Sequence, residues 1–252
     1  MSNMHSNTKP QQLDLTVVLP TYNEKKNIQI LIPQLEKLLT TKTTYTFEIL
    51  VVDDNSPDGT AAAAKQLSKK YKNIRVLTRT QNEGLGAALI DAYNHAKGDR
   101  ILSMDSDLAF SLDDVITLLH KLDEGYDLVV GSRHDKLGGY EKTNPRIYLK
   151  YAISKLGNTF TQHFLKLPVH DFSLNFRVIR KEMWKRIDVK EKLNTMLLEM
   201  IVRTRQQSGK ITSIPVTFKD RIYGESKMKL HKQAPIFLKK VLEFGLHERF
   251  SK

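Results

Sequence analysis

Two carboxylates with a spacing suited to chemistry, Asp105 and Asp107, follow a mostly apolar run at 101–104. Side chains at positions i and i+2 near the end of a strand point to the same face, so the two carboxylates should converge. Adjacent carboxylates repel each other unless a cation lies between them. Carboxylate oxygens, completed by water and phosphate oxygens, suit Mg²⁺ or Mn²⁺. An acidic turn without a cation would show the same pattern. The choice between a cation site and such a turn therefore depends on the surrounding elements.

The elements in the first half of the chain alternate between strand and helix. Apolar runs typical of strands buried on both faces occur at 15–19, 47–52, 74–77, 100–104 and 128–130, and Pro20 is expected to end the first of them. The stretches between them have helical spacing of apolar residues, so the sequence predicts an α/β fold with a mostly parallel sheet flanked by helices. Ligands of such sheets bind beyond the carboxyl ends of the strands, where the loops 21–24, 53–58 and 105–107 should meet.

Two common phosphate-binding motifs are absent from the sequence. It contains no Gly-x-x-x-x-Gly-Lys-Ser/Thr loop and no Gly-x-Gly-x-x-Gly fingerprint. The single pair Gly84-x-Gly86 opens a predicted helix, and we interpret it as a site of close helix packing. The architecture is nevertheless one that binds nucleotides.

After residue 133 the alternation of strands and helices weakens. The sequence predicts helices at 145–164, 180–188, 195–207 and 234–247, an extended segment at 171–179 and a strand at 211–218. Pro215 cannot donate a ladder hydrogen bond, so this strand should lie at a sheet edge. The last helix is amphipathic and basic, which fits docking to a membrane surface or partner as well as packing on its own domain. We therefore divide the chain into a polar, disordered tail (1–14), a main domain (15–230) and a basic helix (231–252).

The charge of the chain is concentrated in its second half. Residues 1–125 contain 14 Lys and Arg against 16 Asp and Glu, whereas residues 126–252 contain 26 against 12, so the net charges are −2 and +14. A basic half of this kind favours an anionic partner, such as phosphate groups or an acidic membrane surface, over a merely Lys-rich soluble surface. A nucleic acid is disfavoured because neither interleaved aromatic residues nor a known binding motif accompanies the charge.

Length and composition exclude several other classes. A chain of 252 residues can bury one substantial α/β core without a second domain. The absence of Cys excludes disulfides and thiolate metal sites and favours an intracellular location. The polar start is unlike a signal peptide, and no apolar run approaches the roughly 18 residues of a spanning helix. We therefore expect that the chain does not cross a membrane by itself.

Five motifs occur in an order that resembles a known enzyme family. They are Pro20-Thr-Tyr-Asn-Glu24, Asp53-Asp-Asn-Ser-Pro-Asp-Gly-Thr60, Met104-Asp-Ser-Asp107, Gly131-Ser-Arg133 and Phe218-Lys-Asp-Arg-Ile-Tyr-Gly-Glu-Ser-Lys227. Together they resemble the inverting family 2 glycosyltransferases of the GT-A fold, and among these the dolichyl-phosphate (polyprenyl-phosphate) mannosyltransferases. The resemblance covers about residues 15–230. Its last motif is more specific to enzymes that load a sugar onto a polyprenyl phosphate.

The resemblance implies roles for particular residues. The implied ligands of a divalent cation, Mg²⁺ or Mn²⁺, are Asp105 and Asp107. The implied nucleoside site consists of Pro20, Tyr22, Glu24 and Asp53. The implied acceptor-phosphate site consists of Arg133, Lys150 and Ser154. The implied catalytic residues are Asp107, Arg133, Arg221 and Lys227, and the last two would neutralise the leaving diphosphate. Glu199 corresponds to a family glutamate near the sugar, with a solvated helix position as the alternative.

The implied reaction is the inverting transfer of a hexose from a nucleotide sugar to a polyprenyl or dolichyl monophosphate, and GDP-mannose is the donor we favour. A phosphate monoester is already ionised at neutral pH, because its second pKa is about 6. The acceptor therefore needs a cationic cradle and no general base, which agrees with the absence of an obvious catalytic His. Two alternatives stay open: the same chemistry with UDP-glucose or another nucleotide sugar, and a non-catalytic subunit that binds a sugar nucleotide.

Three positions depart from the pattern of the family. Ala109 stands where a residue, often Gln, can add a metal ligand, and Lys150 stands where Arg is usual, which keeps the charge without the bidentate fork. Within Asp171-Phe-Ser-Leu-Asn-Phe-Arg177, the residues Leu174 and Asn175 replace small ones. These differences leave room for an altered donor, an altered acceptor or reduced activity.

The expected partners follow from the same resemblance. They are a nucleotide-sugar donor, a lipid phosphate acceptor and the membrane surface, with no nucleic acid. Relatives either carry spanning helices or use a small membrane partner. We therefore expect peripheral attachment to the cytoplasmic face of a membrane, the ER membrane in a eukaryote, through the basic C-terminal helix or a small anchoring subunit.

Overall fold

The computed structural model describes residues 12–140, 145–219 and 230–250, and within these it leaves out the side chains of 145–150, 230–232 and 247–250. No helix in this part of the chain is both long enough and apolar enough to span a membrane. The predicted tail lies mostly outside the described residues, but the first strand already begins at Leu13.

The elements follow one another as an alternation that becomes irregular after the fifth strand. The strands are β1 (Leu13–Thr21), β2 (Phe47–Asp53), β3 (Ile74–Thr78), β4 (Gly98–Met104), β5 (Leu128–Ser132), β6 (Gly139–Tyr140), β7 (Phe176–Arg180), β8 (Ile211–Pro215) and β9 (Thr217–Phe218). The helices are α1 (Lys25–Lys42), α2 (Thr60–Lys70), α3 (Leu85–His95), α4 (Asp113–Asp123), α5 (Pro145–Leu165), α6 (Lys181–Arg186), α7 (Met196–Gln206) and α8 (Leu230–Phe250).

The main sheet has seven strands in the order β3-β2-β1-β4-β7-β5-β8. Neighbouring strands are parallel except at β7, which runs antiparallel to both β4 and β5. A short second sheet pairs β6 with β9. The predicted α/β fold with a mostly parallel sheet is confirmed. The insertion of β7 between β4 and β5 was not predicted, because an isolated extended segment carries no information about its neighbours.

The core lies in two layers, one on each face of the sheet. Side chains of α1, α2 and α4 pack on one face against Val17 and Leu19, among others. Side chains of α3, α6 and α7 pack on the other face against Val18 and Leu50, among others. Consecutive residues of a strand point to opposite faces, so a continuous apolar strand serves both layers.

Two strand boundaries differ from those expected. Pro20 lies inside β1 and does not end it: pairing with β4 reaches Val18, whereas pairing with β2 continues to Thr21. Proline is tolerated there because only one side of the strand is still paired. The expected strand at 211–218 is divided into β8 and β9, and β8 lies at the edge of the main sheet, as Pro215 predicted.

The interpretation of Gly86 as a close-packing residue is confirmed. A Cβ atom at this position would lie 2.4 Å from the carbonyl oxygen of Leu193 and 2.6 Å from that of Glu191. The backbone N–H of Ala87 donates to the carbonyl of Lys192 at 2.9 Å. The start of α3 therefore lies directly against the loop that precedes α7.

The long helices α5 and α8 pack against each other, and both also present apolar side chains to the surface. Gly245 of α8 meets the ring of Phe164 of α5, and Val241 is fully buried. The exposed large apolar residues of the two helices are Ile153, Leu156, Phe160, Ile236, Leu238, Leu242 and Leu246. The basic helix thus packs on its own domain with one face and leaves an apolar face uncovered.

Candidate functional site

The loops that follow β1 and β2 are bound to each other at the carboxyl edge of the sheet. Asp53 is fully buried and accepts hydrogen bonds from Thr21 Oγ1 (3.0 Å) and from the backbone N–H and Oγ of Ser56 (2.9 and 2.6 Å). The backbone N–H of Glu24 donates to Thr60 Oγ1 at 3.0 Å. Asp53 and Thr60 therefore hold the two loops together at this edge, as expected where strands end in Asp- and Ser-rich loops.

The other expected nucleoside residues stand along the same edge. Pro20, Tyr22 and Glu24 are all partly exposed. The carbonyl of Pro20 accepts a hydrogen bond from Ser106 Oγ at 3.2 Å, which ties the end of β1 to the loop of the two aspartates. The fold thus brings the residues predicted to bind the nucleoside and those predicted to bind the cation to one edge of the sheet. The nucleoside role itself stays a prediction.

Asp105 and Asp107 are placed by a sharp turn after the last residue of β4, Met104. Asp107 is 2% exposed, and its Oδ1 accepts the backbone N–H of Ala109 at 3.2 Å. Leu108, between Asp107 and Ala109, has φ +61°, a left-handed conformation that is uncommon for Leu. The pleat of the strand, on which the sequence argument rested, ends before the pair, so the turn decides where the two carboxylates point.

The donor set of this turn fits a hard divalent cation. The described residues contain no group of three or more Asp, Glu, His or Cys side chains that could hold a metal. Two carboxylates with water and phosphate oxygens are the usual protein share of a Mg²⁺ site that works with a nucleotide. Ala109 is 1% exposed and belongs to the core layer of α1, α2 and α4, so this position adds no ligand.

Arg133 follows β5 directly and is held by side chains from other segments. Its Nε and Nη2 donate to the carboxylate of Asp171 at 2.7 and 3.0 Å, and Nη2 also donates to Ser173 Oγ at 2.8 Å. Its Nη1 donates to the hydroxyl of Tyr140 at 2.7 Å. The side chain of Asp171 is fully buried and that of Arg133 is 11% exposed. The bidentate geometry fixes the plane of the guanidinium.

The Arg133–Asp171 pair is ionised. Burial alone would lower the pKa of Arg133, but the charge and hydrogen bonds of Asp171 raise it above its usual value. Burial alone would raise the pKa of Asp171, but Arg133 outweighs that effect and keeps it below the usual range. The charge of Asp105 also contributes to the raised pKa of Arg133, so the two expected sites lie within electrostatic reach of each other.

Ser154 lies on α5 next to the loop that follows β5. Its Oγ is 3.2 Å from His134 Nε2 and 3.2 Å from Asn158 Nδ2. Burial lowers the pKa of His134, which is therefore neutral near pH 7. Because His134 is the residue after Arg133, this contact brings the Arg133 segment next to Ser154, in the middle of α5.

Three expected site residues lie outside the described side chains. Lys150 belongs to α5, but its side chain is not described, and Arg221 and Lys227 fall in the undescribed range 220–229. Their roles remain predictions. Glu199 is 2% exposed and accepts the backbone N–H groups of Lys190 and Glu191, each at 2.8 Å. The alternative of a solvated Glu199 is therefore wrong, and this carboxylate holds the loop before α7.

The contacts made by the segment 171–175 were not predicted from the sequence. Asp171 and Ser173 hold Arg133, and Asn175 Nδ2 donates to Asp105 Oδ1 at 3.1 Å. One short segment thus contacts both the cation loop and the arginine. Its composition had been noted, but the contacts follow from the antiparallel strand β7, which enters between the ends of β4 and β5.

Comparisons with known proteins identify the family of the chain. The family model described as Glycosyl transferase family 2 matches residues 16–188. The polyprenol monophosphomannose synthase of Mycolicibacterium smegmatis is 31% identical over 251 residues, which are 97% of this chain and 91% of that protein. The dolichol-phosphate mannosyltransferase of Pyrococcus furiosus is 33% identical over 221 residues, 86% of this chain but only 60% of that protein.

Solved structures support the fold. The glucosyl-3-phosphoglycerate synthase of Mycobacterium tuberculosis, in complex with Mn²⁺, UDP and its product, superposes with a TM-score of 0.66 at 18% identity and covers 94% of this chain and 80% of that one. The mannosyl-3-phosphoglycerate synthase of Rubrobacter xylanophilus gives a TM-score of 0.66 at 17% identity, covering 95% and 76%. At these identities the likeness concerns the fold alone.

Proposed function

The chain belongs to glycosyltransferase family 2, and we propose that it transfers mannose, with inversion, from GDP-mannose to a polyprenyl or dolichyl monophosphate. The proposal is supported by the names of the two relatives that are 31% and 33% identical, a polyprenol monophosphomannose synthase and a dolichol-phosphate mannosyltransferase. The geometry that carries it is the approach of the Asp105 loop to Arg133, bridged by the segment 171–175.

On the donor side, Asp105 and Asp107 would hold Mg²⁺ or Mn²⁺. When bound, such an ion stabilises the charge that develops on a leaving diphosphate. Pro20, Tyr22, Glu24 and Asp53 would form the nucleoside site. In the structure Asp53 fixes the loop through Thr21 and Ser56, so its contribution is to shape the site. Arg221 and Lys227 would add positive charge to the leaving diphosphate.

On the acceptor side, Arg133, Lys150 and Ser154 would bind the phosphate of the lipid. The phosphate oxygen is the nucleophile and is ionised at neutral pH, so no residue has to remove a proton. Neutral His134 contacts Ser154 and can orient its hydroxyl. The carboxylate of Asp171 fixes the orientation of the Arg133 guanidinium and keeps it ionised, but it also offsets part of the positive charge of Arg133. Lys150 would then supply further positive charge.

The membrane contact belongs to the same proposal. The chain would attach peripherally to the cytoplasmic face of a membrane, either through the exposed apolar side chains of α5 and α8 or through a small anchoring subunit. Vesicle co-sedimentation tests this: Leu242→Glu should weaken binding on the order of tenfold, the expected effect of withdrawing one Leu from an apolar phase. Gln34→Glu on α1 adds the same charge elsewhere and should have little effect.

A transfer assay tests the reaction. The protein is incubated with Mg²⁺ or Mn²⁺, a short polyprenyl phosphate and a panel of labelled nucleotide sugars, and the label that extracts with lipid is counted. We expect metal-dependent label from GDP-mannose, and loss of that label in Asp107→Asn but not in Glu48→Gln, which lies at the opposite end of the sheet.

Other outcomes of this assay would redirect the proposal. Label from UDP-glucose or another sugar instead would keep the chemistry and change the donor. Nucleotide-sugar binding without transfer from any donor would overturn the enzymatic proposal and favour a non-catalytic binding subunit.

A further inference from the structure

A buried chain of hydrogen bonds ends on one of the two cation-loop carboxylates. We propose that Asn175 is a positioning residue that fixes the orientation of Asp105 for cation binding, and that Ser103 and Tyr93 in turn fix Asn175. The inference rests on the proposed function, because it takes Asp105 as a ligand of the cation.

The hydrogen bonds form an unbroken series from Tyr93 to Asp105. The hydroxyl of Tyr93 is 2.6 Å from Ser103 Oγ, Ser103 Oγ donates to Asn175 Oδ1 at 2.8 Å, and Asn175 Nδ2 donates to Asp105 Oδ1 at 3.1 Å. Tyr93 and Asn175 are each 1% exposed and Ser103 is fully buried. Water therefore competes poorly for these bonds, and the orientation of each group is determined by its neighbour.

The direction of the bonds fixes the amide. Ser103 has one hydroxyl proton and gives it to Asn175, so Tyr93 must donate to Ser103. Burial raises the pKa of Tyr93 to about 12, so its proton is present at neutral pH. With its oxygen engaged by Ser103, the amide of Asn175 presents its N–H to Asp105. A flipped amide would place its oxygen against the carboxylate of Asp105 and lose the bond to it.

The register of the sheet explains why these side chains meet. In the antiparallel pair of β4 and β7, Ser103 is opposite Arg177 and Met104 is opposite Phe176. The same register brings Asn175 opposite Asp105, one step beyond the ends of the two strands. Paired residues share a face, so Ser103 and Arg177 lie on one side of the sheet. Asn175 and Asp105 lie one step beyond the strand ends, and the bond from Ser103 to Asn175 and the bond from Asn175 to Asp105 connect them to that side. Tyr93 of α3 covers that side.

This arrangement differs from a purely structural polar cluster because it ends on a residue expected to bind the cation. Groups that hold a metal ligand by hydrogen bonds typically change metal affinity by 10–100-fold when they are removed. The bond also keeps one Asp105 oxygen turned towards β7, which leaves the rotamer of this carboxylate little freedom. Asp107 lies in a different setting, since its Oδ1 accepts a backbone N–H.

The experiment measures Mn²⁺ affinity directly, by electron paramagnetic resonance, with GDP and with UDP in parallel. Asn175→Leu keeps the approximate size of the side chain and removes the bond, and we expect its dissociation constant for Mn²⁺ to rise about tenfold. Ser103→Ala should raise it a few-fold and Tyr93→Phe less. The double variant of Ser103→Ala with Asn175→Leu should behave like Asn175→Leu alone, because both act through one contact.

Thr16→Val is the matched control. It removes a buried hydroxyl of the same sheet, from the opposite end, where Thr16 Oγ1 contacts Glu48 and the backbone N–H of Gly98. It should lower stability and leave the Mn²⁺ affinity unchanged. An unchanged affinity in folded Asn175→Leu would overturn the inference while leaving the proposed function intact. Absence of Mn²⁺ binding in the unmodified protein would overturn both the inference and the proposed cation-dependent function.

Discussion

The two ends of the sheet use buried acids in different ways. At the amino end, Glu48 is 2% exposed and accepts from Thr16 Oγ1 (2.8 Å), the backbone N–H of Lys97 (2.9 Å) and Arg75 (2.7 Å). These partners come from β1, from the residue before β4, and from β3, so one carboxylate of β2 connects β1, β3 and the start of β4.

At the carboxyl end, by contrast, the acids mostly bond within their own loops. Asp53 accepts from Ser56, Asp58 from Thr60, and Asp107 from Ala109. These short-range bonds shape the turns, although Asp53 also accepts from Thr21 of β1 and Asp58 from the backbone N–H of Lys25. The amino end of this sheet therefore joins strands through one buried acid, whereas the carboxyl end holds shaped loops beside a candidate site. The clearest exception at the carboxyl end is the segment 171–175, whose long-range bonds reach both Arg133 and Asp105.

The largest expected effect is at the carboxyl end. Asp107→Asn should lower the transfer rate about 1000-fold, a typical cost for removing one electrostatic contact to developing charge, which corresponds to about 4 kcal/mol. The free energy of unfolding should change little, because the amide keeps an acceptor for Ala109 and repulsion from Asp105 is relieved. Transfer assays and urea unfolding measure the two quantities. An active variant would remove the cation role from this residue.

Asp171→Asn tests the exception, and both quantities should fall. The variant leaves Arg133 buried without its counter-charge, so we expect a loss of about 3 kcal/mol in the free energy of unfolding, together with loss of transfer.

The pH dependence gives a second readout for the same variant. The folded-state pKa of Asp171 is lowered, so the stability from this carboxylate is present above the unfolded pKa of about 3.9 and disappears as pH falls through the lower folded value. The difference between the original chain and the variant should therefore shrink below about pH 4. A constant difference between pH 7 and pH 3 would show that charge is not the cause.

Glu48→Ala is the matching test at the amino end. It removes the acceptor of two buried donors, and each buried donor left without a partner costs about 1–3 kcal/mol. We expect a loss of about 2–4 kcal/mol, including a modest share from Arg75, which is one-third exposed. The transfer rate per folded molecule should not change, and Glu48→Gln should lose less. If activity fell while the variant stayed folded, the division between the two ends would be wrong.

His134→Gln should give the smallest effect. Burial lowers the pKa of His134, so the unfolded chain binds a proton more readily than the folded chain below about pH 6.5. Stability from this group is therefore complete above that pH and decreases as the solution is acidified. The Gln variant can still hydrogen-bond Ser154 and should show a shallower loss between pH 7 and pH 5. Unfolding measured across this range, with the original chain as reference, checks the slope.

The parallel part of the fold was predictable because it depends on local signals. Strands β1 to β5 are apolar enough to be buried on both faces, and the helices between them repeat at helical spacing. The meeting of the 21–24, 53–58 and 105–107 loops then follows from the rule that parallel strands end together. Pro20 misled the boundary of β1, because a proline next to a single paired neighbour does not end a strand.

The candidate site was only partly predictable. The residue types at Asp105 and Asp107 were enough to indicate a cation, and the resemblance carried by the motifs indicated the family and, through it, a phosphate role for Arg133. Which side chains hold them was not, because Asp171 contacts Arg133 across 38 positions of sequence and Asn175 contacts Asp105 across 70. Neither contact leaves a periodic signal in the sequence.

The type of sheet, the end at which ligands are expected and the chemistry of the residues found there follow from the sequence alone, because hydrophobic periodicity, turn residues and side-chain functional groups are local properties. Three features became visible only in the folded protein: β7 runs antiparallel between β4 and β5, Asp171 forms an ion pair with Arg133, and Tyr93, Ser103 and Asn175 form a series of hydrogen bonds to Asp105. Strand order and the register across it depend on packing among distant segments, and that free energy is not contained in any one stretch of the chain.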